Sequence, residues 1–292
     1  MNAIEIRQLR KSYPGFDLGP LDLNLPQGCI MGLIGENGAG KTTTIRLILD
    51  MLQRDGGSIR LLGRGDGEDV MLTREETGVV LDEVGFPECF NTRQVNNVMR
   101  LTYKNWDEAA YREYLRRFDL PEGKQFKDFS RGMKMKLGIA VALSHKPKLL
   151  ILDEPTSGLD PLMQRAFFQI LRERNQAGVT VFLSSHVLSE IQRNCTRAAI
   201  IRQGRLIACD SVEALSKTSA KRVTVHGELD IEKLPGVRDL QPQDGGASFL
   251  YSGDINALVY RLSACRLTDL SVAEPDLEEI FLHYYTEGGE TK

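Results

Sequence analysis

The sequence lacks the features that mark secreted, zinc-binding and membrane-spanning proteins. Its 292 residues include five cysteines, and no Cys-x-x-Cys pair occurs among them. A disulfide framework and a zinc site are therefore both disfavoured, and a reducing cytosol is the expected compartment. No apolar run approaches the roughly 20 residues that cross a bilayer, and the opening stretch "MNAIEIRQLRKSYPG" has no signal-peptide core. If the protein works at a membrane, we expect it to do so through a partner.

The sequence also has no excess of charge of either sign. The net charge is -3 and the isoelectric point is near 5.9, so electrostatics gives no reason to predict a nucleic-acid partner. Apolar residues make up 41% and charged residues 26%. That balance is typical of a globular protein with a substantial core.

The apolar patterns predict a layered α/β domain over residues 1–215. "AIEIRQLRKSY" and "GPLDLNLP" alternate apolar and polar residues, as half-buried antiparallel strands do. From "CIMGLIG" onward, short continuous apolar runs such as "GVVLD", "KLLILD" and "VTVFLS" alternate with helical stretches. This alternation indicates buried parallel strands with crossover helices. Residues 88–146 are almost wholly helical in pattern, and we interpret them as a helical subdomain inserted between two core strands.

A second, small α+β domain is predicted for residues 221–292. "KRVTVHG", "ASFLYSG" and "RLTDLSV" have the pattern of strands, and "DINALVYRLSAC" and "PDLEEIFLHYY" that of helices. The stretch "LQPQDGGA" is rich in turn-forming residues and is predicted as a turn between them. The predicted fold is therefore an α/β core with an antiparallel β flank, an inserted helical subdomain and a small C-terminal α+β domain.

A phosphate-binding loop is the strongest motif in the chain. "GLIGENGAGKTTTIRLIL" contains Gly35-x-x-x-x-Gly40-Lys41-Thr42, follows an apolar strand and opens an apolar helix. In such a loop the backbone N–H groups surround the phosphates, the lysine reaches the β- and γ-phosphates, and the hydroxyl binds Mg²⁺. The alternative is a glycine-rich structural turn. The predicted nucleotide-binding positions are Gly35, Glu36, Asn37, Gly38, Ala39, Gly40, Lys41, Thr42 and Thr43.

An acidic pair ends a second buried strand, "LLILDEP". Asp153 lies at the carboxyl end of that strand, where α/β sheets bind their ligands. It is predicted to hold Mg²⁺ through water, and Glu154 is predicted to polarise the water that attacks the γ-phosphate. A simple helix cap is the alternative for such a pair.

With "SRGMK" and "LLILDEPTSGLD" added, the chain resembles the nucleotide-binding subunit of an ABC transporter over residues 1 to about 215. The resemblance implies that Tyr13 stacks on adenine, that Asp160 ends the D-loop at a dimer interface, and that His186 is the switch residue contacting the γ-phosphate. Lys41 and Glu154 take the family's catalytic roles. Tyr13 as a packed loop residue and His186 as an ordinary surface histidine are the alternatives.

The segment "FSRGM" resembles the family's signature motif. Ser130 and Gly132 would bind the γ-phosphate of ATP held by the opposite subunit of a head-to-tail dimer, and we expect a homodimer. A helix start with free N–H groups is a natural anion site, and here the anion would come from another chain. Alternatively, Ser130 only caps its helix.

Two positions depart from the family pattern. Asp82 occupies the place of a glutamine that touches Mg²⁺ in the family, so it is a candidate metal ligand. Either Asp82 contacts the ion directly, or it has a water-bridged or coupling role. Arg131 replaces a glycine of the signature and either contacts phosphate or projects into solvent.

The resemblance implies an ATPase that drives a separate integral membrane permease from the inner face of the cell membrane. The C-terminal domain resembles that of bacterial exporters, which makes export the expected direction. Phe86, Phe90 and Val95 either line a groove for the permease or fill the core of the helical subdomain. A non-transport ABC ATPase acting on ribosomes or DNA is the alternative function. A P-loop kinase would leave "FSRGM" and "SGLD" unexplained.

Overall fold

The computed structural model describes residues 1–65, 67–216, 221–228 and 235–273. The chain divides into two compact units, and the boundary along the sequence lies between Ser211 and Val212. Among the described residues, no helix combines the length and the apolar character needed to cross a bilayer.

The first unit is built from two sheets and their connecting helices. Its strands are β1 (Asn2–Tyr13), β2 (Phe16–Pro26), β3 (Ile30–Ile34), β4 (Gly56–Leu61), β5 (Thr77–Val80), β6 (Leu149–Leu152), β7 (Thr180–Ser185), β8 (Arg197–Arg202) and β9 (Arg205–Ser211). Its helices are α1 (Lys41–Ile48), α2 (Val70–Glu75), α3 (Thr92–Thr102), α4 (Glu108–Arg117), α5 (Arg131–Leu143), α6 (Pro161–Gln176) and α7 (Leu188–Asn194).

The six-stranded sheet carries the core, in the order β5-β6-β7-β3-β8-β9. The first five strands of this order pair in parallel, and β9 pairs antiparallel with β8. Every residue of β3, β6 and β7 is buried, which explains their continuous apolar sequences. A separate antiparallel sheet, in the order β2-β1-β4, forms the flank that the alternating N-terminal pattern predicted. The predicted fold class is confirmed.

The segment between β5 and β6 is helical, as predicted. Asn91 and Gln94 form a reciprocal capping box that starts α3, and the Asp107 carboxylate accepts from the Ala110 N–H at the start of α4. Helices α3, α4 and α5 enclose an aromatic core. Its fully or nearly fully buried members include Tyr111, Tyr114, Phe118, Phe126 and Phe129. This insertion positions the start of α5, where the signature motif lies.

The second unit contains α8 (Val212–Ser216), β10 (Lys221–Glu228), β11 (Val237–Gln243), β12 (Gly246–Tyr251), α9 (Ile255–Ser263) and β13 (Arg266–Ala273). The strands form an antiparallel sheet in the order β11-β12-β10-β13, and Leu258 and Leu262 of α9 pack with Val223, Val225 and Phe249 in its core. One prediction was wrong in detail. The stretch "LQPQ" belongs to strand β11, and only the following Asp-Gly forms the turn. The helix predicted at "PDLEEIFLHYY" lies outside the described residues.

Candidate functional site

Glycines shape the loop between β3 and α1. Gly40 adopts a left-handed conformation with φ of 110°, and a Cβ there would lie 2.6 Å from Leu18 Cδ1. At Gly35 a Cβ would lie 2.5 Å from the Ile201 carbonyl oxygen. Larger residues would therefore strain the backbone or push the loop away from the sheet. The strand–loop–helix context that the phosphate-loop prediction requires is present.

Lys41 places a buried ammonium inside this loop. Its side chain is only 6% exposed, and Nζ donates to the Gly35 carbonyl at 2.7 Å and to the Glu36 carbonyl at 3.2 Å. Nζ also lies 3.3 Å from Glu154 Oε1. Two neutral carbonyls and the Glu154 carboxylate thus hold the ammonium inside the loop, where it can bind phosphate oxygens.

Ser184 ties the two acidic residues to the sheet. Its hydroxyl donates to Asp153 Oδ1 at 2.6 Å and accepts from the Glu154 N–H at 2.9 Å. Asp153 is almost fully buried, and Glu154 has a positive φ of 48°, an uncommon conformation for a residue with a side chain. Strain of this kind is typical of functional positions where the surroundings fix the backbone. Sequence reasoning missed Ser184.

His186 and Lys41 approach Glu154 from two sides. His186 Nδ1 lies 2.8 Å from Glu154 Oε2, while Lys41 Nζ is near Oε1. An ionised carboxylate only accepts hydrogen bonds, so Nδ1 carries the proton in this contact. The Glu154 side chain is 15% exposed and that of His186 is 55% exposed. The carboxylate is thus held in one orientation, with its partner histidine open to solvent.

These groups border a cavity of about 620 Å³ at the carboxyl edge of the central sheet. Most of the predicted nucleotide-site residues lie on its wall: Glu36, Asn37, Gly38, Gly40, Lys41, Thr42, Thr43, Asp82, Glu154 and His186. Phe16 and Ser157, which the sequence did not place there, line it as well, and so does Arg131, for which contact with phosphate was one of the two alternatives. The wall thus offers hydroxyls, a cation and an aromatic ring, the groups that a nucleoside triphosphate requires.

Tyr13 does not line this cavity. It is 38% exposed at the end of β1, with Lys11 Nζ 5.5 Å from its ring centroid. Tyr13 pairs across the hairpin with Phe16, and the Phe16 ring is the aromatic group on the cavity wall. Stacking of Tyr13 on adenine stays a prediction, and Phe16 is a second aromatic candidate for it.

Ser130 and Asp160 cap helices and, like Gly132, are not on the cavity wall, although Arg131 and Ser157 of the same two motifs line it. Ser130 Oγ accepts from the Met133 N–H at 3.3 Å at the start of α5, and Asp160 accepts from Leu162 and Met163 at the start of α6. A Cβ on Gly132 would lie 2.6 Å from the Gly158 carbonyl oxygen, so the signature and the D-loop pack backbone to backbone. Both interpretations of Ser130, a site that serves another subunit and a simple helix cap, are consistent with this placement.

Asp82 is paired within the chain. Arg131 Nη2 lies 2.5 Å from Asp82 Oδ1, and both side chains are largely exposed on the cavity wall. The departures at these two positions are thus linked, because the carboxylate that replaces glutamine meets the guanidinium that replaces glycine.

This pair predicts that Asp82 is not a direct Mg²⁺ ligand. Replacing Asp82 with asparagine is expected to change the Mg²⁺ concentration at half-maximal ATP hydrolysis by less than about threefold, since the guanidinium already occupies Oδ1. Asp153→Asn, measured alongside, is expected to raise it by more than about tenfold. An Asp82→Asn variant that needs as much Mg²⁺ as Asp153→Asn would contradict this prediction.

Comparisons with known proteins agree with the geometry. The sequence model of the ABC transporter family matches residues 18–157. The bacitracin transport ATP-binding protein of Enterococcus faecalis is 31% identical, over 98% of this chain and 97% of that protein. The Nod factor export ATP-binding protein I of Rhizobium leguminosarum bv. viciae is 32% identical, over 96% and 94%. A solved structure of an ATP-binding subunit of an ABC transporter superposes with a TM-score of 0.68, at 28% identity, over 74% of this chain and 92% of that one.

Proposed function

Because this chain belongs to the ABC transporter family as an ATP-binding subunit with ATPase activity, we propose that it powers an exporter through a separate integral membrane permease. The observation that carries this proposal is the convergence of Lys41 and His186 on Glu154 at the edge of a phosphate-loop cavity. The names of the relatives, which specify bacitracin transport and Nod factor export, support the exporter role. These two relatives match nearly the full length of the chain, including the second unit.

The chemistry follows from the contacts around Glu154. Glu154 takes a proton from the water that attacks the γ-phosphate, and His186 holds the carboxylate in position for this step. Lys41 exchanges its carbonyl partners for oxygens of the β- and γ-phosphates. Ser184 fixes the Asp153 carboxylate and the Glu154 backbone at the strand end.

Thr42 and Asp153 are the residues that would hold Mg²⁺. A hydroxyl and a carboxylate are hard oxygen donors, which this ion prefers. Within the described part of the chain, no group of three or more acidic, His or Cys residues is arranged to hold a metal ion by itself. Mg²⁺ at such sites is bound by few protein groups together with substrate phosphates. When bound, it neutralises charge on the β- and γ-phosphates.

Two copies of the chain are proposed to assemble head to tail. Ser130, Gly132 and Asp160 are not on the wall of the cavity that their own phosphate loop borders, which leaves them available to face the ATP of a second copy. The exposed N-terminus of α5 adds the positive end of a helix dipole to that site. ATP binding would close the dimer, and hydrolysis would reopen it.

The permease is proposed to dock beside α2, which places this subunit on the inner face of the cell membrane. The groove residues suggested by the sequence are less suitable, because Val95 is fully buried and Phe86 packs edge-to-face on Phe126 at 5.5 Å. Helix α2 has no buried residue, and its Met71 is 79% exposed. A cavity of about 380 Å³ lined by Val70, Val79 and Tyr103 adjoins it. Three exposed apolar residues at the start of this helix, Val70, Met71 and Leu72, beside a cavity suit the docking of a short helix of a membrane subunit.

Co-purification tests the transport role. The tagged chain, extracted from its own cells in mild detergent, is expected to bring down a polytopic membrane protein in equal stoichiometry, as mass spectrometry would show. A Met71→Glu variant tests the docking surface, because it should retain ATPase activity and fail to bring down the membrane subunit. Recovery of ribosomal proteins or nucleic acid, with no membrane protein, would sink the transport proposal and leave the ATPase chemistry intact.

A further inference from the structure

A carboxylate outside the nucleotide cavity joins the two segments that carry Glu154 and His186. Glu190 Oε2 accepts from Thr156 Oγ1 at 3.0 Å and from Ser185 Oγ at 3.1 Å. Thr156 follows Glu154 by two residues, and Ser185 directly precedes His186. Both hydroxyl-bearing residues are buried, at 5% and 1% exposure. Glu190 therefore connects the loop after one member of the pair to the strand end before the other.

Neighbouring serines hold this strand end from both sides. Successive residues of a strand point to opposite faces, so Ser184 turns toward Asp153 and Glu154 while Ser185 turns toward Glu190. The Ser185 hydroxyl also accepts from the Val187 N–H at 3.0 Å, which fixes the turn after His186. The backbone on either side of His186 is thus anchored through a single hydroxyl, and that hydroxyl is anchored by Glu190.

The environment of Glu190 differs from that of a carboxylate that only stabilises a helix start. Burial raises the pKa of the Glu190 carboxyl, and the Thr156 and Ser185 hydroxyls act in the opposite direction. The charges of Glu154 and His186 also act on it. A favourable interaction with the helix dipole needs no contact with another segment, whereas this partly buried carboxylate accepts a hydrogen bond from Thr156 in the loop that follows Glu154.

We propose that Glu190 is a positioning residue for ATP hydrolysis: by holding Thr156 and Ser185, it fixes the relative placement of Glu154 and His186. The inference rests on the proposed function, in which that pair acts on the attacking water. Glu190 is not on the cavity wall and makes no contact there. Its loss should therefore slow the chemical step and leave ATP binding unchanged, because a misplacement of about 1 Å costs on the order of 10²-fold in rate.

Steady-state ATPase kinetics on the full chain test this. Glu190→Ala is expected to lower kcat at least about tenfold, with KM for ATP changed by less than about twofold. Glu190→Gln is expected to recover most of kcat, because the side-chain amide oxygen still accepts from both hydroxyls. Ser189→Ala, an exposed neighbour on α7, is the matched control and should behave as wild type. Thr156→Val should lower kcat in the same direction, and adding it to Glu190→Ala should cost little more.

The outcomes separate this inference from the function on which it rests. Wild-type kcat in Glu190→Ala would overturn it, and so would a Glu190→Gln variant as slow as Glu190→Ala, because a charge would then matter rather than the hydrogen bonds. If Glu190→Ala fails to fold, Thr156→Val decides the matter, since valine keeps the shape of the side chain; a wild-type kcat in that variant would overturn the inference. Normal hydrolysis by Glu154→Gln would instead refute the proposed chemistry, whatever Glu190 does.

Discussion

Replacing Glu154 with glutamine is expected to slow ATP hydrolysis roughly 10²–10⁴-fold, the usual effect of removing a general base. The amide has the shape of the carboxylate but cannot take a proton from water. ATP binding should persist, because the phosphate loop and Lys41 are unchanged. Phosphate release and the binding of a fluorescent ATP analogue would measure the two properties separately.

The same variant is expected to accumulate as an ATP-bound dimer, because closure no longer leads to hydrolysis. Size-exclusion chromatography with light scattering should show a monomer without nucleotide and a dimer with ATP. Glu113→Gln, the same substitution at an exposed position of α4, is the control and should hydrolyse ATP normally. If Glu154→Gln retained more than about a tenth of the wild-type rate, another group would have to be the base.

Replacing Ser130 with arginine in the Glu154→Gln protein is expected to abolish this dimer. Two symmetric sites would each lose a hydrogen bond to a charged phosphate, which corresponds to roughly a 10²–10⁴-fold loss in dimer affinity. ATP binding to the monomer should stay within about threefold of its original affinity, since Ser130 is not on the wall of its own cavity.

Ser130→Asp separates the signature role from the helix-cap alternative. Aspartate is as good an N-cap as serine, so α5 should be capped as before and thermal stability should change little. Its negative charge would repel the γ-phosphate of a second subunit, and dimerisation should therefore fail. A Ser130→Asp protein that closes normally with ATP would show that Ser130 only caps its helix.

The fold could be predicted because its central strands are buried on both faces. Strands β3, β6 and β7 have no exposed residue, so each reads as a continuous apolar run. Strand β11 was missed for the opposite reason. It lies at the edge of its sheet, where Pro242 is tolerated, and most of its residues are exposed. The sequence of such a strand has no pattern of buried apolar residues that would distinguish it from a turn.

The site could be predicted in part, because residues close in sequence form motifs. The phosphate loop, Asp153, Glu154 and His186 were found in this way. Residues of the loop, Glu154 and His186 border one cavity, while Asp153 is buried beside Ser184 and is not on its wall. Ser184 and Glu190 were missed because Ser184 contacts Glu154, 30 residues away along the chain, and Glu190 contacts Thr156, 34 residues away. The parallel register pairs Leu152 with Leu183, and this pairing places Ser184 beside Asp153. Register, rather than any motif, was the missing information.

The position of β3 in the sheet has a consequence for how the protein is made. Its two neighbours are β7 and β8, so Ile30 pairs with Val181 and Met31 with Arg197. Until the ribosome has added β7 and β8, strand β3 has no neighbouring strands, so the central sheet that holds the phosphate loop has not formed. Pairings this distant in sequence form late and slowly. A nascent chain should therefore gain affinity for ATP only after β8 has emerged, so nucleotide binding would mark the completion of the core.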